Sequence, residues 1–113
     1  MASVVYKVIS RELWRAAEDA GMFEGADVDR RDGYIHLSTQ EQVVETVALH
    51  FAGMTDLLLI AIDPDQLSET LRWEPSRGGH LFPHVYGSIP MTAVVGVNPL
   101  PLGEDGAHQF PFE

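Results

Sequence analysis

The stretch "DGYIHLSTQEQVVETVALHF", Asp32 to Phe51, changes its periodicity part-way along, and that change decides the fold. From Tyr34 to Ser38 the side chains alternate as in a strand. Ile35 and Leu37 fall on one face, and Tyr34, His36 and Ser38 fall on the other. Beyond that point Val43, Val44, Val47, Ala48 and Phe51 recur at helical spacing. Ser38, with Glu41 three residues later, has the pattern of a capping box that starts this helix, and Gly53 closes it.

The same strand-then-helix signal opens the chain. "SVVYKVIS" (Ser3 to Ser10) alternates and is rich in β-branched residues. Ser10 then caps a helix through "RELWRAAEDA", which Gly21 ends. Leu13, Ala17 and Ala20 fall on one side of that helix, with Trp14 beside them. "MFEGADVDRRDG", between the two helices, reads as a polar loop.

After the second helix the signals are those of strands. "DLLLIAI" (Asp56 to Ile62) is continuously apolar, as expected of a central strand buried on both faces. "DPDQL" is a turn and "LRWE" a short strand. "PSRGG" requires unusual backbone angles at Gly78 or Gly79. "HLFPHVYG" is extended, and Pro83 is expected to confine it to an edge or a bulge. "TAVVGVNPL" (Thr92 to Leu100) is the last strand. The expected fold class is α+β: a split antiparallel β structure with two early helices. Residues 1–102 form one domain, and 103–113 form an acidic, loop-like tail expected to be partly disordered.

Composition narrows the function classes. Among 113 residues, seven Lys and Arg face seventeen Asp and Glu, a net charge of −10. Binding to extended nucleic acid draws its affinity from phosphate neutralisation, so this balance argues against it, and against anionic membrane surfaces. No apolar run reaches membrane-spanning length. The N-terminus lacks the pattern of a secretory signal, which makes the cytoplasm the expected location. There is no cysteine, hence no disulfide, thiolate metal site or Cys nucleophile. His80 and His84, in an extended segment, stand roughly 13 Å apart, too far to share one metal ion. No metal site is expected.

What remains is a cluster of polar side chains on strand faces. His36 and Ser38 lie on one strand. By the same parity His80, Phe82, His84 and Tyr86 share a face of another. The helix N-terminus near Thr39 offers free amides to an anion. "RWEPSRGG" adds Glu74, a hydrogen-bond acceptor for sugar hydroxyls or a general base, and Arg77, whose forked donors suit an anion. His36 and Glu74 are the candidate catalytic residues, and Ser38, Thr39, Arg77, His84 and Tyr86 the candidate ligand contacts. The bland alternative is a hydrogen-bonded His within a sheet, a surface ion pair at Glu74 and a packed aromatic at Tyr86.

"RDGYIHLSTQEQV", "LLLIAID", "LRWEPSRGGHLFPHVYG" and "AVVGVNPLP", in that order, resemble a small bacterial family, domain of unknown function 952. The resemblance implies a fold similar to the ADP-ribosylation fold of enzymes that cleave nicotinamide adenine dinucleotide (NAD). It implies that "His36-Leu-Ser38" binds a ribose, that Tyr86 stacks on a ring and that Glu74 holds ribose hydroxyls. Glu74 precedes Tyr86 here, whereas those enzymes carry the Glu last. The expected function is therefore a cleft for a small anionic ligand or nucleotide, NAD or an ADP-ribosyl compound, serving ADP-ribosyl or phosphoryl transfer. The alternative is a non-catalytic module for a small ligand or a protein partner.

Overall fold

In the computed structural model, which describes residues 3–112, strand β1 (Val5–Ser10) runs antiparallel to β4 (Leu57–Ile62). β4 pairs on its other side with β8 (Val94–Pro99). β4 is the middle strand of this sheet, and its side chains enter two separate clusters. Leu58, Ile60 and Ile62 meet Trp14 and Ala17 of helix α1 (Arg11–Ala20). Leu57 and Leu59 meet Val43 and Val47 of helix α3 (Gln40–His50). A continuous apolar strand is what a sheet covered on both faces requires.

Both helices depart in phase from the stripes expected of them. In α1 the buried residues are Trp14 and Ala17, while Leu13 is exposed. In α3 Val43 and Val47 are buried, and Val44 and Ala48 face out. Ser10 caps α1 and Gly21 ends it, as expected. The start of α3 corrects the sequence reading. Thr39, not Ser38, is the cap: its hydroxyl accepts from the Gln42 N–H, and its own N–H donates to Gln42 Oε1. Ser38 is held one residue earlier by a two-way backbone bridge to Tyr6, so it lies outside the capping geometry.

The polar loop expected between the helices is structured. It contains β2 (Met22–Phe23) and a third helix, α2 (Asp27–Asp32). β2 pairs with β7 (Ile89–Pro90). The third sheet is β3 (Ile35–His36), β6 (Leu81–Val85) and β5 (Leu71–Pro75), antiparallel with β6 in the middle. The expectation that Pro83 confines its strand to an edge is thus corrected. Pro83 turns its carbonyl toward β3, where it accepts from the Leu37 N–H, and its missing donor faces the same way. Pairing of β3 with β6 ends there, and the next residue, Ser38, crosses to β1. The proline is tolerated mid-sheet because its missing donor falls where the ladder ends.

The tail folds back onto the molecule. Phe110 and Phe112 pack on the α3 side of the first sheet, Phe112 with its ring 5.5 Å from that of Tyr6. No helix of the described residues is long and apolar enough to cross a membrane.

Gly25 shows how tightly the segment before α2 is drawn in. Its φ is +111°, and a Cβ there would stand 3.0 Å from Asp29 Cβ. Backbone strain and contact act together, so Gly25→Ala is expected to destabilise the fold by about 1–3 kcal/mol in urea denaturation.

Candidate functional site

Lys7 is the charged residue in the first strand, and its parity places it with Val5 and Ile9 toward the α1 side. A buried ammonium needs a partner, and Asp29 of α2 supplies one at 2.9 and 3.0 Å. Asp29, itself buried, also accepts from the Ala26 N–H at 2.8 Å and from the His36 N–H at 3.0 Å. His36 Nδ1 lies 2.7 Å from the same carboxylate, and Lys7 donates back to the His36 carbonyl. Burial alone would raise the Asp29 carboxyl, but hydrogen bonds from His36 and Lys7 outweigh it and hold it far below the usual carboxylate range. Burial lowers Lys7, and Asp29 opposes that shift. The other ring nitrogen of His36, Nε2, meets Asp32 at 3.0 Å. His36 is therefore gripped between two carboxylates, with its side chain 31 % exposed.

A second cluster lies on the same face of the third sheet. His36 and His84 are directly paired across β3 and β6, and Tyr34 stacks on His84 with ring centres 4.2 Å apart. His84 Nδ1 stands 2.8 Å from Glu74 Oε1, and the Tyr86 hydroxyl donates to the same oxygen at 2.7 Å. These two bonds, His84 first, hold Glu74 below its ordinary value, and Glu74 in turn raises the Tyr86 hydroxyl. His84 is buried, and its Nε2 has no partner among the described residues.

A pocket of about 480 Å³ opens beside these groups, a size suited to small molecules. Among the described residues its basic lining is Lys7, Arg31, Arg77, His36, His50 and His84, and its single carboxylate is Asp32. In a chain with only seven Lys and Arg and five His, that is three of each around one hollow. Arg77 is steadied by Glu45 at 2.8 Å and by the Thr46 hydroxyl at 3.2 Å, with its guanidinium 4.9 Å from the Phe82 ring centre. Ser38 reaches Thr46 at 3.1 Å. A larger hollow of about 750 Å³ elsewhere has Glu41 and Asp65 as its charged lining and no Lys, Arg or His. It offers an anion nothing.

Of the residues singled out from sequence, His36, Ser38, Arg77 and His84 line the basic pocket. Glu74 and Tyr86 are not among its lining residues; Glu74 contacts His84, which is one of them. Thr39 borders the acidic hollow and also a third hollow of about 550 Å³ that Arg77 and His80 line with Glu41 and Glu45; its N–H, expected to be free for an anion, is taken by Gln42. Sequence reasoning missed Lys7, Asp29, Thr46 and His50. A lone Lys within an apolar alternating strand was the available signal for the first. Asp29, inside a run of charged residues, carried none.

The family described as "Protein of unknown function (DUF952)" matches residues 8–97. Among solved structures, the chain is similar to the X-ray crystal structure of protein CC0527 from Caulobacter crescentus. The identity is 45% over 95% of this chain and 94% of that one, and the TM-score is 0.90. The solution NMR structure of CC0527 matches with 44% identity over 96% and 93% of the two chains, and a TM-score of 0.85. No curated protein matches.

Proposed function

The chain belongs to the DUF952 family, and from that premise we propose that its basic pocket binds the phosphate of a small nucleotide-type ligand, such as NAD or an ADP-ribosyl compound. The observation that carries this reading is the concentration of Lys7, Arg31, Arg77 and three His around one hollow of a chain with net charge −10. Lys7, Arg31 and Arg77 are each ion-paired, with Asp29, Asp32 and Glu45, so the lining offers a small anion spare hydrogen-bond donors rather than free positive charge. Arg77 presents a forked set of donors of which Glu45, Thr46 and the Gln42 carbonyl use only part. Ser38 and Thr46 add hydroxyls beside it. His36, oriented by Asp29, faces the same space and is the residue nearest to a catalytic role.

In this reading the antiparallel arrangement is of the ADP-ribosylation type. One observation favours binding without transfer: Glu74, which would stabilise positive charge on a ribose, is occupied by His84 and Tyr86 outside the pocket.

Isothermal titration of ADP-ribose, NAD and inorganic phosphate is expected to give heat with the wild type. Arg77→Ala is expected to weaken binding at least about tenfold, the loss of a charge-assisted hydrogen-bond pair. Absence of heat for all three at millimolar concentration would remove the phosphate reading. Release of nicotinamide on long incubation with NAD would establish transfer or hydrolysis. Intact NAD would leave a binding module.

A further inference from the structure

The two carboxylates that grip His36 are not equivalent. Asp29 has a side chain only 1 % exposed, and Lys7, the Ala26 N–H and the His36 N–H tie it down, so its bond to Nδ1 is a fixed part of the fold. Asp32 has a side chain 33 % exposed. Among the described residues that side chain has two partners: His36 Nε2 at 3.0 Å from one oxygen and Arg31 Nε at 3.1 Å from the other. The bond from Arg31 holds Asp32 below the ordinary carboxyl value, and an ionised carboxylate only accepts. Arg31 and His36 are therefore two donors that converge on one carboxylate, and all three residues line the basic pocket. Position adds to the case. Asp32 is the last residue of α2, where a negative charge meets the negative end of the helix dipole.

Two donors set on the two oxygens of one carboxylate form an anion site, and a phosphate group presents a pair of oxygens to such donors in the same way. We infer that Asp32 occupies this site from within, and that one phosphate group of the ligand displaces it and takes over Arg31 and His36. This rests on the phosphate reading above and adds where the phosphate goes and what holds the site shut. The exchange conserves the hydrogen bonds of both donors. Asp29 keeps the His36 ring in place, while the part-exposed Asp32 turns its carboxylate to water. A tethered carboxylate is a standing competitor, so the apparent affinity for any anion falls with the fraction of time the site is open. A phosphate monoester carries more negative charge than the carboxylate it replaces, which favours the exchange. Weakly charged anions gain nothing from it.

The test titrates inorganic phosphate into the wild type and its variants by calorimetry. Asp32→Ala is expected to bind phosphate about three- to tenfold more tightly than the wild type, the gain from a site no longer self-occupied. Asp27→Ala removes the same charge from an exposed position of the same helix, and is expected to stay within about twofold of wild type. Adding Arg31→Ala to Asp32→Ala is expected to cancel the gain, because one of the two donors is then missing. All of these substitutions fall at exposed positions of α2. A second readout needs no variant. Carbon-13 NMR of the side-chain carboxyls in the wild type is expected to show the Asp32 resonance shifting as phosphate saturates the protein. Unchanged or weaker binding by Asp32→Ala, an equal gain in Asp27→Ala, a gain that survives Arg31→Ala, or an Asp32 resonance unmoved at saturation overturns the inference. Each of those leaves the phosphate reading standing with Arg77 as its contact. Heat from neither the wild type nor Asp32→Ala overturns the phosphate reading, and this inference with it.

Discussion

Asp29→Ala is expected to lower the unfolding free energy by about 3–5 kcal/mol, measured by urea denaturation. The size follows from what the carboxylate holds. Lys7 would be left as an uncompensated buried cation, and the N–H groups of Ala26 and His36 would lose their acceptor. The double variant Lys7→Met/Asp29→Leu is expected to recover the part of the loss that comes from the stranded cation, since a buried ion pair replaced by apolar groups of similar volume is often neutral, while the Ala26 and His36 N–H groups stay without their acceptor. The pair therefore contributes position more than net stability. It ties β1, α2 and the His36 backbone to one point.

The acid limb of the stability curve provides a check. Asp29 is held below its unfolded value of about 3.9. A carboxyl depressed in the folded state contributes stability that is complete above the unfolded value and is lost as pH falls toward the folded one. Wild-type stability is thus expected to fall between about pH 5 and acid more steeply than that of the double variant. Equal slopes, or a cost for Asp29→Ala under about 1 kcal/mol, would show that the carboxylate does not hold these groups.

Leu59→Ala is the second large effect, expected at about 2–5 kcal/mol. Leu59 has no solvent exposure and sits in the cluster with Val43, Val47 and Leu100. Truncation leaves a cavity between the middle strand of the first sheet and α3, both pinned by backbone hydrogen bonds that limit collapse. Val97→Ala, on β8 with 44 % exposure, is the contrast and is expected to change stability by no more than about 0.5 kcal/mol. Comparable losses in the two variants would contradict the two-sided burial of β4.

Local signals were enough wherever a segment's own residues fix its state. Ser10 and Gly21 bound α1 because a hydroxyl cap and a left-handed glycine act on their own turn. "LLLIAI" is a buried strand because nothing else can cover such a run. The failures arise where the determinant is a distant partner. α2 is a single short helix rich in Asp and Arg, and its inward residue is an Asp held by donors from two distant strands and from the helix's own N-cap. The apolar-periodicity signal cannot register that. Pro83 argued for an edge because the sequence does not say on which side its missing donor falls. Parity grouped Tyr34 with His36 on one strand and His84 with Tyr86 on another, and the structure gathers the four rings around Tyr34. The side of His84 on which Glu74 arrives depends on the β5–β6 register, and no local pattern encodes it.

The absent hydrogen at Pro83 reaches further than one broken rung. Leu37, Ser38, Phe82 and His84, all within one step of that break, are walls of the basic pocket. The chain there belongs half to one sheet and half to another, and a seam between two incompletely zipped surfaces cannot close over itself. The hollow follows a fault line that begins where an imino acid leaves the ladder unzipped.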